Sequence, residues 1–431
     1  MLSYNFLELF LSIRLDSLYL TNKNMRSFIE SAIHIATVAM GLLFVTTVNA
    51  APLQSCKGPE GRDADFAPNA FHWEVQSESH ALSGLSGFRI AVLGDSLTAA
   101  RPFIDAVLDA NGIRKTAAAP STIQAGIGVP GLALPLNKAC AGGAWQIAYA
   151  HKENQPRAVY AKGLLRMHAQ TPGDTLYLDF RFPQPSSRLK ALNVLYEKEK
   201  PDDSLLLGIA VDGGEERLVS LRRSAGPVLQ IRPDAPMSTL RLRLVSGQVT
   251  LHGFEPVYET PPAVVLDMFS IPGGMLRSVA SLDPRYLPGT GNSAYDLLLV
   301  QYGTNEGAVK AFDREAYAAY LRTHLRRLRQ FYPEARCVLI GPPDRGAPDG
   351  GPQHALIHRR IALAQQQIAP EFHCASWDWQ AAMGGPGTAA RWAASNPPLM
   401  QPDLTHLTAK GYALSGRLFA KAFPFDKSNS D

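Results

Sequence analysis

The chain has 431 residues, of which 46% are hydrophobic and 19% charged, and its net charge is +4. That apolar share supplies at least one large core and, at about 100–200 residues per domain, points to two or three domains. It excludes a disordered chain, which carries fewer apolar residues and more net charge. Lys and Arg are spread along the sequence, the densest run being Arg322–Arg329 within one amphipathic stretch. The clustered basic stripe of a nucleic-acid binder is therefore missing, and no nucleic-acid partner is expected.

Residues 1–50 read as a signal peptide. Lys23 and Arg26 precede an apolar run from about Ile33 to Val48, residues 48–50 offer a cleavage site before Ala51, and Met25 stands where a shorter leader would start. The alternative is an uncleaved anchor, since the run approaches the ~18–20 apolar residues that span a bilayer. Leu53-Gln54-Ser55-Cys56 resembles a lipoprotein box, with Gln54 a poor fit, and would tether the protein to a membrane through Cys56. The expected location is periplasmic or outer-membrane-associated. Four cysteines follow the cut, Cys56, Cys140, Cys337 and Cys374; an even number in an exported chain suggests disulfides, with free buried thiols as the alternative. Cys337 opens the apolar run Cys337-Val338-Leu339-Ile340 and Cys374 lies in Phe372-His373-Cys374-Ala375. Both runs read as neighbouring strands, so that pair is the one expected. No C-x-x-C spacing occurs, which argues against a zinc ribbon or a thioredoxin motif.

After an extension over 51–84, the text reads strand, turn, helix. Phe88–Leu93 is a short apolar run suited to a strand buried on both faces, and Ala100–Asn111 has helical spacing. The alternation returns later, with strands at Ala263–Leu266, Asp296–Tyr302 and Arg336–Ile340 and helices at Met275–Leu282, Asp313–Phe331, Gln353–Ile368 and Thr408 to about Phe423. Strands alternating with helices of this length predict an α/β fold, a parallel sheet covered by helices on both faces. Between these blocks the rhythm changes. Thr175–Phe182, Leu189–Tyr196, Leu205–Asp212, Glu216–Leu221, Val228–Ile231, Leu240–Val245 and Val249–Phe254 are short alternating runs divided by turn signals such as Asp212-Gly213-Gly214. They read as an all-β sandwich inserted over 141–261, splitting the α/β domain into 85–140 and 262–425, with a C-terminal tail at 426–431.

Four short stretches carry candidate chemistry. Gly94-Asp95-Ser96-Leu97 follows the first strand and precedes a helix, which puts Ser96 at the C-terminal edge of the sheet, where α/β proteins place their sites. Ile271-Pro272-Gly273-Gly274 lies at another strand end, where a glycine leaves its N–H uncovered for a substrate oxygen. Gly303-Thr304-Asn305-Glu306 follows the run Leu297–Val300, and the neutral amide of Asn305 suits a developing oxyanion. Asp403-Leu404-Thr405-His406 precedes the last helix, and of the eleven histidines only His406 has an aspartate three positions earlier. That spacing lets the carboxylate hold Nδ1–H and leaves Nε2 free to take a proton from a hydroxyl. Taken singly, each stretch has a structural alternative, a helix cap at Ser96 and Asp403 and a turn at Gly273 and Asn305. Caps and turns do not, however, require the order Ser, Gly, Asn, Asp-x-x-His at successive strand ends.

This order resembles the GDSL/SGNH hydrolase family, whose four blocks are matched by Ser96, Gly273, Asn305 and Asp403 with His406. Leu97-Thr98 after the serine and Leu407-Thr408-x-x-Gly411-Tyr412 after the histidine extend the match. Gln124–Pro130, the β insertion before Gly273, and Met383-Gly384-Gly385 followed by Trp392 resemble exported peptidoglycan O-acetylesterases, in which a carbohydrate-module-like β-sandwich interrupts the SGNH domain. Leu97 stands where that subfamily often has a histidine. The resemblance implies a flavodoxin-like SGNH fold, a catalytic triad Ser96–His406–Asp403, an oxyanion hole from Ser96, Gly273 and Asn305, no cofactor and no metal. It implies an O-acetylated polysaccharide, most simply peptidoglycan, as partner. The alternatives are an O-acetyltransferase using the same triad, or a glycan-binding protein working through the β-sandwich.

Weaker signals are set aside. His354 and His358 fall four apart on a helix, but Ala355 replaces the Glu of the metalloprotease pattern, so a surface helix face is expected. Gly126-x-Gly128-x-x-Gly131 is followed by prolines rather than a clear helix, unlike a dinucleotide fingerprint. No Gly-x-Ser-x-Gly occurs, which argues against the α/β-hydrolase elbow. Trp377, Trp379 and Trp392 are expected in the core or a pocket wall, with sugar stacking as the alternative.

Overall fold

The computed structural model describes residues 69–76, 87–153, 159–184, 186–198, 204–222, 226–287, 295–347 and 351–425. The expected signal peptide, Met25 and Cys56 lie outside these residues.

Six strands form an all-parallel sheet in the order Cys374–Trp377, Arg336–Ile340, Leu297–Gln301, Phe88–Gly94, Val264–Met268 and Ala118–Ala119. Side chains alternate between the two faces of a strand, so a run apolar at every position needs cover on both sides. Ala91, Leu93, Leu298 and Val300 share a core with Leu321, Leu325 and Leu328 of helix Arg314–Phe331 and Ile357 and Ile361 of helix Gln353–Ile368. The opposite face, with Ile90, Val92, Leu266 and Leu299, packs on Phe103 and Val107 of helix Pro102–Ala110 and Phe419 of helix Ala409–Ala422. Asp313 caps the long helix by accepting the N–H groups of Glu315 and Ala316. Cys337 and Cys374 face each other on neighbouring strands and are joined by a disulfide.

The short-strand region forms two antiparallel sheets. The larger runs Phe71–Gln76, Val228–Pro233, Leu189–Lys198, Val249–Tyr258, Leu165–Ala169 and Gln146–Tyr149, with Ile123–Gln124 also on Val249–Tyr258. The smaller runs Arg217–Ser220, Leu206–Val211, Thr239–Ser246, Thr175–Asp179 and Lys138–Gly142. Inward residues of both, among them Leu176, Leu192, Val194, Leu207, Ile209 and Leu229, share one core. These layers take in more chain than 141–261, because Phe71–Gln76, Ile123–Gln124 and Lys138–Gly142 pair into them.

Two local expectations change. The helix expected over Met275–Leu282 is a 3-10 helix at Leu276–Ser281, with Leu276 and Val279 buried at the three-residue spacing that such a turn brings to one side. Its first amides are held by other side chains, Leu276 N–H by Glu306 and Arg277 N–H by Tyr320. His358 is fully buried rather than on a surface face. Its helix buries Ala355, Ile361 and Gln365 on the same side, and the His358 Nδ1–H donates to the Pro343 carbonyl at 2.7 Å.

Candidate active site

The strand order sets the geometry. Phe88–Gly94 lies in the middle of the parallel sheet, with Leu297–Gln301 on one side and Val264–Met268 on the other. The loops that follow these three neighbours carry Ser96, Asn305 and Gly273. Three stretches far apart in sequence therefore leave the sheet side by side.

Gly94 ends the central strand where no other residue fits: a Cβ there would lie 2.2 Å from Thr98 Oγ1 and 3.0 Å from the Gln301 carbonyl oxygen. Asp95, not Ser96, caps the short helix Ser96–Ala99, its Oδ1 accepting the Leu97 N–H at 2.9 Å. The serine hydroxyl is thereby left out of capping. Gln301 reaches across from the adjacent strand, donating to Asp95 Oδ2 at 3.2 Å and accepting the Asp95 N–H at 3.3 Å. Burial pushes the Asp95 carboxyl up to about 7, against the lowering hydrogen bonds from Leu97 and Gln301.

The loop ahead of the last helix is closed by one backbone bond of its own and held by another from the loop after strand Arg336–Ile340. Gln401 N–H donates to the His406 carbonyl at 2.8 Å, and Gly346 N–H donates to the Leu404 carbonyl at 2.9 Å. Leu404 sits at φ +52 at the apex. Asp403 Oδ1 accepts the Thr405 and His406 N–H groups at 3.0 and 2.9 Å, and Oδ2 meets His406 Nδ1 at 2.6 Å. A carboxylate only accepts, so the ring proton sits on Nδ1, and Nε2 accepts the Ser96 hydroxyl at 2.9 Å. Burial raises the Asp403 carboxyl, but the hydrogen bonds from His406 and Thr405 outweigh it and hold the group below its ordinary value. The helix itself is capped by Thr408, which accepts the Gly411 N–H at 3.2 Å. Gly411 is required by close approach, since a Cβ there would lie 1.9 Å from the Leu399 carbonyl oxygen.

On the third side, the loop Ile271–Gly274 docks on the strand that leads to Ser96. Ile271 N–H donates to the Gly94 carbonyl at 2.9 Å, and a Cβ on Gly274 would meet that same oxygen at 2.8 Å. Gly273 has φ +77, a left-handed conformation that favours glycine. Asn305 Nδ2 donates to the Gly274 carbonyl at 2.9 Å, which ties the two loops together and leaves its second N–H for another acceptor. Glu306 braces both, with Oε2 accepting Gly303 N–H at 3.0 Å and Oε1 accepting Leu276 N–H at 2.8 Å and the Tyr320 hydroxyl at 3.0 Å. Burial pushes its carboxyl up.

The geometry thus brings Ser96, His406 and Asp403 into one hydrogen-bonded chain and sets the Gly273 and Asn305 loops against the strand that carries the serine. Such a chain can move a proton from a hydroxyl to an imidazole and hold the resulting imidazolium against a carboxylate. Gln301 lies outside the four motifs, as does His151, which the antiparallel region places beside Gly273, whereas Glu306 belongs to the Gly303–Glu306 stretch. Trp377 and Trp379 stack on Phe103 inside the core. Among the described residues, no group of three His, Cys, Asp or Glu side chains is placed to hold a metal ion.

Comparison with known proteins bears on the fold and the family. Residues 257–414 match the GDSL-like Lipase/Acylhydrolase family, a stretch that includes Gly273, Asn305, Asp403 and His406 and leaves Ser96 outside. A solved structure titled "Peptidoglycan O-acetylesterase in action" is similar at 19% identity and a TM-score of 0.60, covering 79% of this chain and 92% of that one. It shares the fold. A family two carbohydrate esterase from Cellvibrio japonicus is matched at 13% identity, 66% and 97% coverage and a TM-score of 0.25. A lipase/acylhydrolase from Enterococcus faecalis is matched at 18% identity, 37% and 75% coverage and a TM-score of 0.28. No curated protein matches the sequence.

Proposed function

Since the chain carries a GDSL-like acylhydrolase domain with the SGNH-hydrolase fold, we propose that it is an exported serine esterase that removes O-acetyl groups from a cell-wall polysaccharide, most simply peptidoglycan. The observation that carries this reading is the continuous chain Ser96 Oγ, His406 Nε2, His406 Nδ1, Asp403 Oδ2, with separations of 2.9 and 2.6 Å.

Ser96 Oγ attacks the acetyl carbonyl as its proton passes to His406 Nε2, and Asp403, held ionised by its hydrogen bonds, stabilises the imidazolium. The N–H groups of Ser96 and Gly273 and the spare N–H of Asn305 take the oxyanion. Collapse expels the sugar hydroxyl with the proton from His406, leaving an acetyl ester on Ser96. Water, deprotonated by His406, then releases acetate. The similar fold of a peptidoglycan O-acetylesterase supports an acetylated glycan as substrate. The Cys337–Cys374 disulfide supports an oxidising compartment such as the periplasm. In this reading the two antiparallel sheets form an inserted carbohydrate-module-like β-sandwich, and the parallel sheet is the flavodoxin-like SGNH domain.

The test is acetate release from O-acetylated peptidoglycan, acetylated xylan and an aryl acetate. Preference for peptidoglycan is expected; release from none of the three would refute the esterase assignment, and preference for xylan would redirect the substrate.

A further inference from the structure

His151 belongs to the antiparallel region, in the turn Ala150–Lys152 that follows strand Gln146–Tyr149. Its side chain nevertheless meets the loop opposite the nucleophile. Its Nε2 lies 3.4 Å from the point a Cβ on Gly273 would occupy. The residue is 5% exposed, and its Nδ1 is buried with no hydrogen-bond partner. Arg277, just beyond the same loop, donates from Nη2 to the His151 carbonyl, and the Tyr149 ring lies edge-on to the imidazole at 5.5 Å. The ring is therefore fixed in place from the insertion side.

An unpartnered buried nitrogen decides the tautomer. Burying an N–H without an acceptor costs more than burying a lone pair, so the proton belongs on Nε2, the nitrogen that faces Gly273. The ring also stays neutral: burial, then the positive charges of Lys152 and Arg277, push it down to about 4. A neutral donor is thus held against Gly273, whose neighbour Gly274 packs on Gly94 and Asp95.

We propose that His151 is a specificity-determining residue of the same site, its Nε2–H donating to an oxygen of the acetylated saccharide that lies over Gly273. This rests on the esterase reading above. An aryl acetate presents the acetyl group without the sugar oxygens, so the two substrate types separate the roles. His151→Ala is expected to lower the ratio of kcat/KM for an O-acetylated saccharide to that for an aryl acetate by about tenfold, the size of one lost hydrogen bond. His151→Gln, whose amide nitrogen reaches the Nε2 position, restores the ratio to within about threefold of wild type on the same hydrogen-bond scale. His151→Asn, which reaches only the Nδ1 position, does not. A ratio unmoved in His151→Ala, or equal rescue by Asn and Gln, overturns the assignment and leaves His151 a packing residue. Labelling of Ser96 by a fluorophosphonate in the wild-type protein distinguishes the two levels: labelling with an unmoved ratio refutes His151 alone, whereas no labelling of the wild type refutes the esterase reading and the inference with it.

Discussion

The two regions of this molecule treat their polar groups differently. At the Ser96 end of the parallel sheet, buried Asp95 and Gln301 and half-buried Glu306 are each hydrogen-bonded to the loops that hold Ser96, Gly273 and Asn305. The antiparallel region buries polar groups within and beneath its sheets, as in the Lys162–Glu255 pair at 3.1 Å with both side chains almost fully enclosed. It reaches the candidate site through His151 beside Gly273. The difference is one of position: strand ends that are neighbours by topology bring Ser96, Gly273 and Asn305 together, while the antiparallel layers supply a side chain to their flank.

The comparison can be broken most directly at Ser96. Ser96→Ala is expected to lower acyl hydrolysis by on the order of 10⁴–10⁶ while the thermal unfolding transition stays put; retained turnover on an aryl acetate would remove the chemistry from the parallel sheet. Asn305→Ala should cost about 10²–10³ in kcat, the size of one lost oxyanion donor. A change confined to KM would make Asn305 a binding group instead.

A matched pair of glycines sharpens the contrast. Gly411→Ala places a Cβ 1.9 Å from the Leu399 carbonyl oxygen, and Gly226→Ala places one 2.1 Å from the Gln76 carbonyl oxygen in the antiparallel region. Each is expected to destabilise by about 1–3 kcal/mol in urea unfolding. Only Gly411→Ala should also lower kcat well below the unfolding temperature, because Leu399 and Gly411 bracket the Asp403–His406 loop. Equal loss of kcat in both variants would erase the distinction.

The smallest expected effect is in pH dependence. The folded protein keeps the Asp95 proton up to about pH 7, whereas an ordinary carboxyl releases it near 3.8. The folded state thus binds more protons over that interval, and ionising this group removes stability as pH rises. Asp95→Asn retains a capping oxygen and cannot ionise. The melting-temperature advantage of wild type over this variant should shrink from pH 4 to pH 7. An advantage constant across that range would contradict the burial argument.

Much of this was legible in the sequence because the signals are local. The Ser96, Gly273 and Asn305 blocks sit within a few residues of apolar strand runs, and the Asp403–His406 block stands directly before the last helix. Strand Arg336–Ile340 and helix Gln353–Ile368 fall where the apolar pattern put them. What escaped lacks a local pattern. Ile123–Gln124 is two residues long, and Lys138–Gly142 is built mostly from small residues, so neither shows alternation. Gln301 and Glu306 matter through partners on other strands and loops. The burial of His358 was available in principle, since it shares a helical face with Ala355, Ile361 and Gln365. His151 was not, because Gly273 lies far along the chain and only the packing of the two regions brings them together.

The most direct test of the central claim is to quench the reaction with an aryl acetate in acid and map the acylated peptide by mass spectrometry. The account predicts an acetyl group on the peptide carrying Ser96, and none in Ser96→Ala. Acetate release with the adduct on another residue would contradict it.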